Sequence, residues 1–306
     1  VSLAIRELGV EFQVGAGIKR QTLRALHQVD LEVRPGQAVA VVGESGSGKS
    51  TLAKAIAGLV TPVRGSIQYL GRELVGQRWD RTLRGQIQMV FQDPFASLNP
   101  VFRIRHHLER PLKLHGRPES VREMLERVGL DPAFADAYPH ELSGGQRQRV
   151  NIARALAPGP RVLLADEPTS MLDVSSRMDI LRLLDRLRRD HDLALMFITH
   201  DLAAARWLCD DVMVLYAGQV MEYAGATEIV ADPRHPYTRL LLAAAPRPGH
   251  RLDAPLPARP GHARNVDPLP GCPFVDRCLQ ALPACSRRHP ETIGSAHRVA
   301  CHLETP

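Results

Sequence analysis

With 306 residues, 44% of them hydrophobic and 24% charged, the chain has the make-up of a globular protein that can bury a substantial core, as one large domain or two modest ones. The net charge is +6, yet the arginines are scattered and aromatic residues make up only 5%, which leaves few platforms for stacking bases. The charge therefore reads as a solvated surface, and no nucleic-acid partner is expected. No apolar stretch is long enough to span a bilayer, and no charged-then-apolar signal opens the sequence. The expectation is a cytosolic chain that could still sit on a membrane protein.

Residues 1–37 read as an antiparallel β region. Residues 3–8 are strand-like, residues 29–33 alternate apolar and acidic side chains, and Pro35-Gly36 makes a turn. Phe12 stands at a plausible distance for an aromatic that stacks on a purine, with a core position as the alternative.

Residues 38–42 are a short apolar, β-branched run of the kind that makes a buried parallel strand. It leads into Gly43-Glu44-Ser45-Gly46-Ser47-Gly48-Lys49-Ser50-Thr51, and residues 52–57 then begin a helix. This fits G-x-x-x-x-G-K-[ST], a phosphate-binding loop, in the strand–loop–helix setting the chemistry requires. Gly43, Gly46 and Gly48 let the backbone wrap closely round an anion, and the new helix aims its N–H groups at the same point. Lys49 reaches the β- and γ-phosphates, and the Ser50 hydroxyl ligates Mg²⁺. A nucleoside triphosphate is the expected ligand.

Residues 65–71 read as a hairpin strand between glycine turns, and residues 87–91 as a buried strand ending at Gln92, a position where such sheets bind ligands. From residue 101 to 157 the pattern turns helical. Residues 121–128 carry apolar side chains at helical spacing up to Gly129, and Pro111, Pro118, Pro132 and Pro139 separate short helices. A helical subdomain inserted between sheet strands is expected, over about residues 93–157. It ends in Leu142-Ser143-Gly144-Gly145-Gln146, where a helix N-terminus makes a second anion-binding end.

An L-S-G-G-Q motif between a phosphate loop and a following acidic strand resembles the ATP-binding cassette family, whose transporters couple ATP hydrolysis to movement across membranes. The resemblance covers residues ~1–240 in order. It implies an α/β fold, a P-loop ABC-type nucleotide-binding domain with a mostly parallel core sheet, an antiparallel β subdomain and a helical subdomain. It also implies that Ser143, Gly144, Gly145 and Gln146 meet the γ-phosphate held by a second cassette, so that two subunits sandwich two ATP molecules.

Residues 161–165 form an apolar strand that ends in Asp166 and Glu167. Asp166 matches the Walker B aspartate that, with Ser50 and Gln92, holds Mg²⁺, and Glu167 matches the general base. Residues 170–173 match the dimer-contact loop, with Met171 where the family leads one to expect alanine. After a helix over 175–189 and a strand over 193–198, His200 stands where the family places the histidine that contacts the γ-phosphate and orders Glu167. Residues 211–220 look like a closing hairpin, and a helical stretch begins at Gly225.

Residues 92–100 and 232–238 resemble the dipeptide/oligopeptide importer subfamily, which also takes up nickel and some oligosaccharides. Residues 246–270 read as an extended proline- and arginine-rich linker. Beyond it the spacing of Cys272, Cys278, Cys285 and Cys301 is C-x5-C-x6-C-x15-C, which lacks the close pair typical of structural zinc. Four thiolates suit a [4Fe–4S] cluster equally well on chemical grounds, and the subfamily resemblance implies the cluster, with Zn²⁺ as the alternative. A tail with little core of its own would be stapled by such a group. The expectation is a cassette over residues 1–240 and a four-cysteine extension over 241–306. Further implied are two permease subunits, an indirect substrate-binding protein and a place on the cytoplasmic face of the inner membrane. Two other classes of function are open to a chain with these motifs. A soluble cassette ATPase acting on nucleic acid or ribosomes usually has a second cassette or a long coiled-coil insertion, and neither is visible. A redox-sensing module with ATP secondary is opposed by the presence of Gln92, Glu167 and His200.

Overall fold

A computed structural model describes residues 3–15, 20–245, 256–261 and 270–304, with the backbone alone at 95 and 96. The chain divides into two compact units that interleave along the sequence. One comprises residues 4–32, 39–75 and 199–306, and the other residues 1–3, 33–38 and 76–198.

The first unit opens with β1 (Leu3–Val14), β2 (Gln21–Val33), β3 (Ala38–Val42), α1 (Lys49–Ile56), β4 (Arg64–Tyr69) and β5 (Arg72–Glu73). Strands β2-β1-β4-β5 form a four-stranded sheet in that order. β1 and β2 extend well beyond the expected stretches. Their outer residues, such as Glu11, Gln13 and Gln21, are polar because one face meets water, which hides the strand signal from an apolar pattern. β3 is buried along its whole length, as its Ala/Val sequence requires.

The second unit carries α2 (Arg81–Gln86), β6 (Ile87–Val90), α3 (Pro94–Ser97), α4 (Ile104–Leu114), α5 (Val121–Arg127), α6 (Gly144–Leu156), β7 (Val162–Asp166), α7 (Val174–His191) and β8 (Ala194–Thr199). β6, β7 and β8 pair in parallel, Met89 opposite Leu164 and Leu164 opposite Met196. β7 and β8 are buried throughout. Pro118, Pro132 and Pro139 stand between or outside the α-helices as expected, but Pro111 does not separate two helices: it lies inside α4, which runs on to Leu114 without the hydrogen bond that the missing N–H would give to the carbonyl four residues back. Ser120 and Glu123 form a capping box on α5, and 3-10 turns at Pro132–Asp136 and Pro139–Glu141 replace helix where proline stands.

The chain then returns to the first unit with α8 (Leu202–Leu208), β9 (Asp211–Tyr216), β10 (Gln219–Gly225), α9 (Ala226–Ala231), α10 (Pro236–Ala244), β11 (Thr292–Ile293) and β12 (Arg298–Ala300). In this unit the strands run β11-β12-β10-β9-β3, with β3 and β9 parallel and the rest antiparallel. Of the expected linker, residues 246–255 and 262–269 lie outside the described residues.

The tail has more core than its composition suggests. Val299 of β12 pairs with Glu222 of β10 and is 1% exposed, as is Phe274. The Phe274 ring packs against Tyr216 and Tyr237 with centroids 5.3 and 5.4 Å away. Three aromatic rings at these separations bury a large apolar area and interact favourably edge to face.

Candidate nucleotide-binding site

The phosphate loop lies in the first unit. It leaves buried β3 at Gly43 and enters α1 at Lys49. Gly48 has φ +105°, left-handed backbone that an L side chain resists, and a Cβ there would lie 2.5 Å from the carbonyl oxygen of Ala25. A Cβ on Gly46 would meet nothing within 4 Å, so that part of the loop is open on its outer side.

Lys49 is 6% exposed, and its Nζ donates to the carbonyl oxygens of Gly43 and Glu44 at 2.8 and 2.7 Å. The ammonium is thus held inside the curl of the loop. Ser50 and Thr51 follow on the first turn of α1, half-buried, while Ser45 and Gly46 are exposed. Phe12 is 37% exposed on β1, which sets aside the alternative that it is a core residue.

Glu44 is held at three points. Its N–H donates to Oη of Tyr237 at 2.8 Å, its carbonyl accepts from Lys49, and its carboxylate accepts both arms of the Arg277 guanidinium at 2.7 and 3.0 Å. Reasoning from the sequence did not foresee these contacts. Tyr237 lies inside a stretch singled out for subfamily likeness and Arg277 directly precedes Cys278, but nothing in their spacing points to the loop.

The second unit places Asp166, 4% exposed, as the last residue of β7, with half-buried Glu167 next to it. Glu167 adopts φ +45°, a left-handed conformation that costs a non-glycine residue roughly 1 kcal/mol or more. It is fixed there by its own N–H donating to Ile198 O at 3.0 Å and by the Ser170 N–H donating to its carbonyl at 3.2 Å. Gln92, exposed just past β6, donates from Nε2 to Oε2 of Glu167 at 3.3 Å. Parallel pairing of β6 with β7 brings these two predicted residues together.

Ser143 is the N-cap of α6. Its hydroxyl accepts from the Gln146 N–H at 3.2 Å, and the Gln146 side chain accepts from the Ser143 N–H at 2.8 Å. Gly144 and Gly145 form the first turn, where a Cβ on Gly145 would press to 3.1 Å against the Ser176 hydroxyl. Met171 is 54% exposed. His200 is exposed beyond β8, and Asp201 caps α8 by accepting from the N–H groups of Ala203 and Ala204.

Cys272, Cys278, Cys285 and Cys301 are each 7% exposed and line one small cavity together with His235 and Phe274. Burial pushes the Cys272 thiol up to about 12, and burial also raises Cys278 and Cys301. The sequence led us to expect a metal-binding tail, and for a single ion that expectation is corrected. Among the described residues no group of three or more His, Cys, Asp or Glu is arranged to hold a metal ion.

Strand, glycine loop and helix, with an acidic pair ending a buried parallel strand, define a phosphate-loop nucleotide-binding protein. A family profile described as "ABC transporter" matches residues 26–170, and one described as "Oligopeptide/dipeptide transporter, C-terminal region" matches residues 221–285. Among curated proteins, the oligopeptide transport ATP-binding protein AppF of Bacillus subtilis is 39% identical, the alignment covering 98% of this chain and 97% of the relative. OppF of Escherichia coli is 40% identical over 98% and 96%. The di/tripeptide transport ATP-binding protein DppF of Pseudomonas aeruginosa is 42% identical over 98% and 97%. Among solved structures, the dimeric, ADP- and phosphate-bound ATP-binding cassette MJ0796 superimposes with a TM-score of 0.65 at 30% identity, covering 73% of this chain and 98% of that one. The chain belongs to the ABC transporter ATP-binding family, in its oligopeptide/dipeptide transporter branch, and has the mixed-sheet α/β fold of an ABC ATPase cassette.

Proposed function

We propose that this chain is the ATP-hydrolysing subunit of an ABC importer for di- and oligopeptides. The observation that carries the enzymatic half is the Glu167 carboxylate, set at the end of a buried strand on a constrained backbone and touched by Gln92. The peptide half is supported by relatives near 40% identity along almost the whole chain whose names state oligopeptide or di/tripeptide transport. Import of nickel or oligosaccharides by the same machinery is the second reading within the class.

In this reading Gly43, Ser45, Gly46, Gly48, Lys49, Ser50 and Thr51 hold the ATP phosphates, and Phe12 stacks on the base. Glu167 takes a proton from the attacking water as its oxygen bonds to the γ-phosphorus. The bond to the bridging oxygen breaks and ADP leaves with the electron pair. His200 and Gln92 orient that water and the carboxylate. Ser50, Asp166 and Gln92 offer a hydroxyl, a carboxylate and an amide carbonyl, hard oxygen donors of the kind Mg²⁺ takes; they would hold the ion, which would supply neutralisation of the phosphate charge. Ser143, Gly144, Gly145 and Gln146 serve the nucleotide of a second cassette. The dimeric state of MJ0796 named in its structure supports pairing, and the partner here is a copy or a homologue.

A cassette over residues 1–240, its helical subdomain over about 93–157, and an extension over 241–306 make up the proposed organisation. Two permeases anchor the pair at the cytoplasmic face of the inner membrane, with a substrate-binding protein acting indirectly. Among the described residues no helix is long and apolar enough to cross a membrane, consistent with a peripheral place.

The [4Fe–4S] cluster on Cys272, Cys278, Cys285 and Cys301 stays a proposal. Four buried sulfurs around one cavity support it, because each cysteine of such a cluster binds a different iron and the four need not converge on one point.

An anaerobic pull-down from native membranes tests the whole reading. Recovery of two polytopic permeases and a second cassette, with about four irons and matching sulfide per chain, is the expected result. Ribosomal partners without membrane proteins would overturn transport, and zinc or no metal would overturn the cluster.

A further inference from the structure

A glutamate on a loop built to hold a polyphosphate is a physical puzzle. Glu44 places a carboxylate beside the backbone that receives several negative charges, and like charges a few ångströms apart repel. The first unit answers it from a distance of 233 residues. Both carboxylate oxygens of Glu44 are taken by the Arg277 guanidinium at 2.7 and 3.0 Å, a two-pronged contact between a side chain only 12% exposed and one 37% exposed.

Arg277 is itself fixed in place. Its guanidinium lies over the rings of Phe274 and Tyr216, 5.6 and 5.7 Å from their centroids, and reaches Oη of Tyr216 at 3.4 Å. Its N–H donates to Phe274 O at 3.0 Å and its carbonyl accepts from Arg259, so the turn that carries it hangs on a buried aromatic. The neighbouring α10 adds the Tyr237 hydroxyl, which accepts from the Glu44 N–H. The glycines around Glu44 have no side chains to pack, and a Cβ on Gly46 would meet nothing. Glu44 is therefore one of the points at which the body of the unit grips the loop, beside the Gly218 N–H that donates to the Ser47 carbonyl at 2.9 Å, and it is the one made by a charged side chain.

We propose that Arg277 is a positioning residue for the phosphate loop: by neutralising and fixing Glu44, the C-terminal tail sets the chain's affinity for the phosphates of ATP. The inference rests on the reading of residues 43–51 as the ATP loop. It adds that the extension contributes to the nucleotide site and is more than an appendage to it. Nothing in it requires a metal in the tail.

A double-mutant cycle on the full chain tests it, reading the dissociation constant of ATP by titration with a fluorescent analogue, beside the melting temperature of the nucleotide-free protein. Arg277→Ala is expected to weaken ATP about tenfold, by leaving a charged carboxylate on the loop. In the Glu44→Gln background the same substitution is expected to cost about twofold or less, because the charge it exposes is gone. Arg277→Lys keeps the charge and gives up the fork, and about a threefold loss is expected. It also keeps the cycle readable if the alanine variant does not fold. A merely structural role would lower the melting temperature and give the same loss of affinity whether or not Glu44 is present. That outcome overturns the proposal, as does an unchanged dissociation constant in Arg277→Ala. A wild-type chain that binds no ATP would overturn the loop reading and this inference with it, whereas normal wild-type binding with a silent Arg277 overturns the inference alone.

Discussion

The side-chain amide of Gln92 donates to Oε2 of Glu167 across 3.3 Å, joining the ends of two adjacent parallel strands. In the proposed mechanism this exposed amide and half-buried carboxylate orient the water that attacks the phosphoryl group. Glu167→Gln keeps the shape and the hydrogen bond but cannot take a proton. The expected result is ATP binding within about twofold of wild type, with turnover lowered by about a hundred- to ten-thousand-fold. Steady-state phosphate release beside nucleotide titration separates the two, and normal turnover in this variant would sink the assignment of the base.

Glu222 of β10 is fully buried, and its carboxylate gathers three donors. It accepts the N–H groups of Arg234 at 2.8 Å and His235 at 3.0 Å, and lies 2.6 Å from Nε2 of His297, whose Nδ1 lies 2.9 Å from Glu228. The carboxylate thus ties the approach to α10 and the tail residue before β12 to one strand. Glu222→Ala strands those donors, and each unpartnered buried group costs about 1–3 kcal/mol. A loss of roughly 3 kcal/mol or more in urea unfolding is expected. His297→Ala should cost less, because Glu222 keeps its two backbone donors.

These two cases show what the sequence could reveal and what it could not. The loop between β3 and α1 was legible because every part of it is local. An apolar run, glycines at fixed offsets and a lysine at the helix start each leave a mark within fifteen residues. Glu167 was legible because acids at the end of a buried apolar strand need a reason to be there. The Glu222–His297 pair and the Glu44–Arg277 pair leave no such mark. Their members lie 75 and 233 residues apart, and a lone glutamate or arginine reads as solvated surface. The short helix α2 was missed for another reason. Its six residues include one large apolar side chain, Leu83, and it is held by the Asp80 cap on the Leu83 N–H, a signal too brief for helical periodicity. The spacing of the four tail cysteines told of a thiol cluster, and could not tell whether the sulfurs meet at one point or line a cavity.

His107 makes the second unit sensitive to acid. On α4 it is 9% exposed, and its Nε2–H donates to the Asn99 carbonyl at 3.1 Å. Burial lowers its pKa from the ordinary 6.5, and the charges of Arg154 and His106 push the same way against a partial opposition from the Asn99 contact. The unfolded chain takes up this proton near pH 6.5, and the folded chain does so only at lower pH. The stability linked to neutral His107 is therefore complete above pH 6.5 and is lost as pH falls from there through the lowered folded value. The slope from this one group does not exceed about 1.4 kcal/mol per pH unit. His107→Gln, which keeps a donor and does not titrate, should flatten the fall in melting temperature between pH 6.5 and 5. An unchanged slope would remove His107 from the acid response.

Gly271 tests how the tail delivers Arg277. A Cβ at this position would lie 2.0 Å from the carbonyl oxygen of Cys285 and 2.8 Å from the carbonyl carbon of Ser286. Both are backbone atoms that cannot swing aside. The same Cys285 carbonyl accepts from the Cys272 N–H at 2.7 Å, so even an alanine must break that bond or push the two segments apart. Gly271→Ala should therefore loosen the turn that begins at Cys272, carries Phe274 into its aromatic cluster and ends with Arg277 on Glu44. Limited proteolysis is expected to cut the tail of the variant faster than that of wild type. If Arg277 works through Glu44, ATP affinity should fall in the direction seen for Arg277→Ala, with no added loss when the two substitutions are combined. A loosened tail that still binds ATP as tightly as wild type would separate tail packing from the loop, and would place the grip on Glu44 with Tyr237 instead.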